Sequence, residues 1–200
     1  DLLDDLQCEI NLQLNFSEKV NRSKSLWKNK GGNQNIKPFN EIKEKLKRLC
    51  VSVELCNYCE HNEATDIEHI YPKSFFPEKT FSWENYILAC KTCNSGYKLD
   101  KCYLLSEQDE IVETKRGNEP SFQTLAFINV REENPMDFFI LEINTGIFQV
   151  LNNLSTKNKN KAEKTLDILH LNNREGLTNG RVRAKEMYVE HYKKEMEKLR

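Results

Sequence analysis

Two Cys-x-x-Cys pairs, Cys56-Asn-Tyr-Cys59 and Cys90-Lys-Thr-Cys93, restrict what this chain can fold into more than any other feature. A turn of that length presents two sulfurs to one side. Two such turns supply four soft thiolate ligands, the donor set of a closed tetrahedral structural zinc site. Thirty residues separate Cys59 from Cys90, more than the ~15–20 of a simple zinc ribbon. The insert is therefore expected to have structure of its own. Redox pairs and reduced core thiols are the other readings of the same four residues, and His61 is an alternative ligand.

The remaining cysteines, Cys8, Cys50 and Cys102, read as small buried hydrophobes. Two Cys-x-x-Cys pairs suit metal binding in a reducing compartment, so a cytoplasmic location is expected. The start of the chain lacks the basic-then-apolar layout of a signal peptide, and no apolar run is long enough to span a membrane.

The insert contains the chemistry. It holds Asp66-Ile-Glu68-His69-Ile-Tyr-Pro72-Lys73 and then Trp83-Glu84-Asn85; Asn94 and Lys98 follow the second cysteine pair. Phosphodiester hydrolysis needs an activated water and neutralisation of charge on the leaving oxygen. Histidine titrates near neutrality and suits the base, so His69 is the candidate. Asp66 and Glu68, two apart on a β-like run, share a strand face. A divalent cation with oxygen ligands, Mg²⁺ or Mn²⁺, would stabilise the leaving oxygen. Lys98 and Lys73 are candidate phosphate contacts.

These residues, from Asp66 through Asn85 to Cys90-x-x-Cys93-Asn94-x-x-x-Lys98, resemble the HNH endonuclease motif with its zinc knuckles. Further phrases resemble the HNH proteins encoded with retrons and Septu anti-phage systems (the PtuB type). They are Glu68-His69-Ile-Tyr-Pro72-Lys73, Trp83-Glu84-Asn85, Phe127-Ile-Asn-Val-Arg131-Glu-Glu-Asn-Pro135 and Thr165-Leu-Asp-Ile-Leu-His-Leu-Asn172. The resemblance implies that His69 is the general base, that Glu68 and Asn94 hold the catalytic metal, and that Asn85 holds the loop carrying the base. Glu68 stands where Asp is common, so Asp66 is an alternative ligand. It also implies a toxic effector in anti-phage defence, held by an ATPase partner of the ABC or SMC-like kind (the PtuA type), alone or within a retron complex.

The expected fold is α+β: a zinc-bound ββα-metal core over residues 51–105, an N-terminal helical and basic segment over 1–50, and a mixed, largely helical C-terminal region over 106–200, packed as one compact domain. Residues 21–37 read as loop, with Trp27 an exception that anchors it or sits in a groove. Asn40 reads as the cap of a helix over 41–49. Residues 67–71 and 83–89 read as strand-like, 106–120 and 158–160 as loop, 122–130 and 138–151 as strand-like with a turn at Asn144-Thr-Gly146, and 161–169 and 181–199 as helices. Phe75, Phe76, Phe81 and Trp83 read as core before a base-stacking platform.

Net charge is −1, but it is unevenly spread. Residues 22–50 carry nine Lys/Arg against two Glu, and residues 156–200 twelve against seven acids. Residues 107–142 carry three against nine. Basic segments flanking the cysteine knot suit a polyanion such as DNA or RNA. A non-catalytic zinc-ribbon adaptor is the competing function class. It would need the cysteines but not His69, Glu68 or Asn94. A restriction or homing enzyme acting alone would carry an appended DNA-reading domain, and no such segment is evident.

Overall fold

The computed structural model of the chain describes residues 2–31, 36–50 and 54–198. At its centre β1 (Asp66–His69) pairs antiparallel with β2 (Tyr86–Ala89), in the register Asp66 to Ala89, Ile67 to Leu88, Glu68 to Ile87 and His69 to Tyr86. Side chains alternate across the two faces of such a pair. Tyr86 and Leu88 pack with Leu46 and Ala64, and Ile67 and Trp27 join the edge of that cluster. Ile87 and Ala89 face the cysteines, Leu104, Phe127 and Leu169. Both faces are therefore covered, and β2 is buried at all four positions.

Three helices cover the first face. They are α1 (Leu2–Asn11), α2 (Phe16–Lys28) and α3 (Ile36–Lys47). α2 replaces much of the loop expected over residues 21–37; residues 32–35 of that span lie outside the described residues. Its apolar stripe runs Phe16, Val20, Ser23, Trp27, at helical spacing. A serine breaks the stripe in sequence, yet Ser23 is fully buried because its Oγ donates to the Val20 carbonyl at 2.8 Å. Asn15 caps the helix through the Glu18 N–H at 3.0 Å. α3 starts before the expected residue 41. Pro38 sits in its first turn, where a missing N–H costs nothing, so Asn40 is interior and not a cap.

After β2 the chain passes Cys90 and winds into a π-helical segment, Thr92–Lys98, closed by the Leu99 N–H donating to the Asn94 carbonyl at 2.8 Å. Such wide turns concentrate at functional sites. β3 (Tyr103–Leu105) and β4 (Ile111–Glu113) form a second small antiparallel pair, the latter inside an expected loop. Residues 122–130 hold no strand. Leu125, Ala126, Phe127 and Ile128 are buried in succession, and the Ile128 N–H goes to Thr165 Oγ1 at 2.9 Å rather than to a neighbouring strand.

The hairpin of β5 (Phe139–Glu142) and β6 (Ile147–Val150) turns where expected. Its Gly146 has φ +70°, and a Cβ there would fall 2.1 Å from the Thr178 carbonyl oxygen. α4 (Thr156–Leu169) absorbs the expected loop at 158–160, because Ser155 caps it through Asn158 N–H. α5 (Glu175–Lys198) starts before residue 181. Among the described residues the architecture is α+β, with three two-stranded sheets and five α-helices. No described helix is long and apolar enough to cross a membrane.

Candidate active site

The four sulfurs of Cys56, Cys59, Cys90 and Cys93 lie within 4.8 Å of one another, and all four residues are buried. Cys59 Sγ and Cys90 Sγ are 3.9 Å apart. A tetrahedron with zinc–sulfur bonds of about 2.3 Å has edges of about 3.8 Å, so the donor set fits zinc. Arg174 Nη1 donates to Cys93 Sγ at 3.2 Å, and Asn62 Nδ2 to Cys90 Sγ at 3.7 Å. Four thiolates around a divalent cation leave excess negative charge, and the Arg174 guanidinium offsets part of it. His61 is exposed and packs at Gly180. Of the other cysteines, Cys102 is buried as expected, Cys50 is half-buried, and Cys8 is exposed on the polar face of α1.

The knot ties both ends of the insert, and β1 then aims its residues to two sides. His69 and Ile67 face the N-terminal helices. The His69 ring is 4.2 Å from the Trp27 ring and 5.3 Å from Tyr86, centroid to centroid. His69 Nε2 lies 3.0 Å from the Thr80 carbonyl oxygen. A carbonyl only accepts, so Nε2 carries the proton and Nδ1 keeps its lone pair. Nδ1 has no hydrogen-bond partner among the described residues. Burial pulls the pKa of this imidazole well below its ordinary value, and the Lys73, Lys98 and Lys30 ammonium groups push the same way. The ring is thus held in its neutral form, with the Nδ1 lone pair unprotonated.

Asn85 precedes β2 and is buried. Its Oδ1 accepts from the Tyr71 N–H at 2.7 Å, and its Nδ2 donates to the carbonyls of Tyr71 at 3.0 Å and Lys79 at 2.9 Å. One amide therefore staples both ends of the loop between His69 and the Thr80 carbonyl that fixes the imidazole. Truncating it leaves buried backbone groups unpaired, each costing roughly 1–3 kcal/mol. Asn85→Ala is expected to lose on the order of 3 kcal/mol of stability, read by urea unfolding, with zinc still bound.

The opposite face of β1 meets the π-helical segment. Asn94 Nδ2 lies 3.3 Å from Asp66 Oδ2, and both residues are half-buried. Glu68 is buried, and its Oε1 is 2.5 Å from Lys98 Nζ. Tyr58 Oη also approaches Glu68 at 3.5 Å. Burial raises the Tyr58 pKa well above normal, with Glu68 adding to the effect. Lys98 was expected at a phosphate, but its ammonium is enclosed. It holds Glu68 and donates to the His69 carbonyl at 2.7 Å. The reason is register: the segment Thr92–Lys98 packs against the Glu68 side of β1, and a carboxylate buried there requires a cation. Breaking a buried pair from one side costs about 3–5 kcal/mol. Lys98→Met should therefore lower the melting temperature by several degrees, and Glu68→Gln in the same chain should recover part of the loss.

Residues 56–98 match the family model described as HNH endonuclease. The match runs from the first cysteine to Lys98, and so takes in the knot, the hairpin and the π-helical segment. No curated protein and no solved structure matches the chain. Within the HNH segment the structure brings Asp66 to Asn94, Glu68 to Lys98, and the four cysteines to one another, with His69 on the far side of the strand. Lys73 is half-buried nearby, its Nζ 5.8 Å from the Trp27 ring. Phe75, Phe76 and Phe81 are core; Trp83 is half-buried beneath the Arg131 guanidinium, 5.1 Å from its ring.

Three contributors to the candidate site lie outside what the motif indicated. Trp27 and Arg174 come from beyond the matched segment, and the Thr80 partner of His69 is a backbone carbonyl. Trp27 carried a signal, as the lone large aromatic in a polar stretch. The other two carried none.

Proposed function

We propose that the chain is a metal-dependent HNH nuclease that hydrolyses phosphodiester bonds in DNA or RNA, with His69 as general base. One observation carries the reading: a neutral His69 has its proton fixed at Nε2 by Thr80 and its Nδ1 lone pair without a partner among the described residues, on a hairpin whose other face presents Asp66 and Asn94. Nδ1 takes the proton of the attacking water, and the positive charge that develops is shared with the Thr80 carbonyl through Nε2–H. Asn85 keeps that geometry by pinning the intervening loop.

Asp66 and Asn94, with Glu68 beside them, would hold Mg²⁺ or Mn²⁺. Turned end for end, the Asn94 amide presents Oδ1 beside the Asp66 carboxylate, and an all-oxygen donor set fits a hard cation. When bound, the ion supplies Lewis-acid stabilisation of the leaving oxygen. Lys98 neutralises part of the Glu68 charge, which favours Asp66 as the principal carboxylate. Lys73 is the phosphate contact retained from the sequence.

The phrases shared with PtuB-type proteins support a narrower role, as a bacterial anti-phage effector working with a PtuA-type ATPase in the cytoplasm. The test is cleavage of plasmid, single-stranded DNA and a tRNA pool, with Mg²⁺ or Mn²⁺ against EDTA. Cleavage of at least one substrate, lost with EDTA, is expected. Absence of metal-dependent cleavage, both alone and with the ATPase added, would overturn the reading.

A further inference from the structure

We infer that Lys30 and Lys73, set on the rim of Trp27, form a two-lysine phosphate subsite beside the reaction centre, so that the N-terminal helical unit is part of the substrate-binding machinery. This rests on the nuclease reading for the identity of the phosphate, which is a phosphodiester of the nucleic-acid substrate. The residues involved, apart from Lys73, lie outside the segment that matches the HNH family.

The geometry starts from α2. Ser23 Oγ lies 3.4 Å from the Lys73 carbonyl, which docks the helix on the loop following His69. One turn later Trp27 covers the His69 ring. Lys30 follows, its Nζ 4.2 Å from the Trp27 ring centroid and 3.5 Å from the Trp27 carbonyl. Lys73 Nζ approaches the same ring from the loop side. The Lys30 ammonium is close enough to perturb Lys73, and both perturb His69.

Both lysines are half-buried, and burial lowers the pKa of each. Neither has a carboxylate within ion-pair distance among the described residues, unlike Lys98 and Lys161, which hold Glu68 and Glu133. The acids that act on them are Asp66 on Lys30 and, for Lys73, chiefly Glu68. Those are the candidate metal ligands, so the lysines feel the same carboxylates that would hold the ion. Two partly desolvated cations without an ion-pair partner among the described residues repel one another, and a shared anion relieves the repulsion. The compact, three-donor ammonium suits a phosphate as a point charge. Lys98, enclosed on Glu68, does not serve this purpose. The basic balance of residues 22–50 thereby acquires a specific member that reaches the chemistry.

The test uses the full chain carrying His69→Ala, to prevent turnover, with a labelled single-stranded oligonucleotide and no added divalent cation. Affinity is measured between 50 and 300 mM salt. Each phosphate contact contributes about 0.7 to the slope of log affinity against log salt for single strands. Lys30→Met and Lys73→Met are each expected to flatten the slope, and the pair to flatten it by about that amount, one phosphate being shared, while Lys30→Arg restores the lost slope. Methionine keeps an apolar stem on Trp27, and the melting temperature checks that the variants are folded. Lys24→Met, exposed on α2, is the control and should leave the slope unchanged. Unchanged slopes in folded Lys30→Met and Lys73→Met would overturn the inference while leaving the nuclease reading intact. Should the chain bind no oligonucleotide, titration with inorganic phosphate separates the two ideas. Binding lost in the Lys30→Met Lys73→Met variant would keep the anion site and discard the nuclease, and no binding would discard both.

Discussion

His69→Ala is expected to abolish cleavage, with a loss of about 10²–10⁴-fold in single-turnover rate, the range for a positioned general base. The loss follows from the free Nδ1: no other imidazole stands near the strand end, since His61 lies at the knot, His170 stacks on Tyr97, and His191 is on the exposed part of α5. Zinc should stay bound, because His69 makes no contact with the four cysteines. The ring packs on Trp27 and Tyr86, so some stability is lost as well. His69→Gln fills more of the space and should show the same loss of rate with a smaller loss of melting temperature. An adaptor that uses only the zinc knot would keep its partner binding in both variants. Full cleavage in a folded His69→Ala chain would contradict the assignment.

Removing the metal of the knot is expected to have the largest effect on the fold. Structural zinc contributes about 10–16 kcal/mol of apparent binding free energy in zinc-finger peptides, comparable to the whole stability of an ordinary domain, about 5–15 kcal/mol. The knot joins the segment before β1 to the turn after β2, and the main core cluster is built around its four buried cysteines. Cys56→Ser or prolonged chelation should therefore unfold the hairpin and the contacts to Arg174, and not merely silence the site. Elemental analysis should find one zinc per chain, and its removal should eliminate cooperative thermal unfolding. A melting temperature unchanged in zinc-free Cys56→Ser would show that the cysteines act as ordinary core thiols.

Legibility in the sequence followed the range of the interaction. The four-cysteine cluster was readable because a Cys-x-x-Cys turn is local, and its spacing alone brings two sulfurs together. The β5–β6 turn was marked by Gly146, which the close approach of Thr178 requires. The placement of Lys98 was not readable, because its partner Glu68 is thirty residues away and only the register of the π-helical segment against β1 brings them together. α2 was hidden by its own composition: lysines, serines and Asn21 line its outer face, and a serine fills one position of the buried stripe. The Thr80 carbonyl, which sets the His69 tautomer, is a backbone group and leaves no trace in residue identity. Phe127 and its neighbours mimic a strand because a buried irregular segment and a buried strand both require a continuous apolar run.

The most direct test of the central claim is cleavage of a defined oligonucleotide in ¹⁸O-labelled water, with wild type and His69→Ala side by side in Mg²⁺. A water activated at His69 leaves one labelled oxygen on the phosphate of each cut made by the wild type, and almost no cuts in the variant. Cutting without label, or labelled cutting at equal rates in both proteins, would contradict the account.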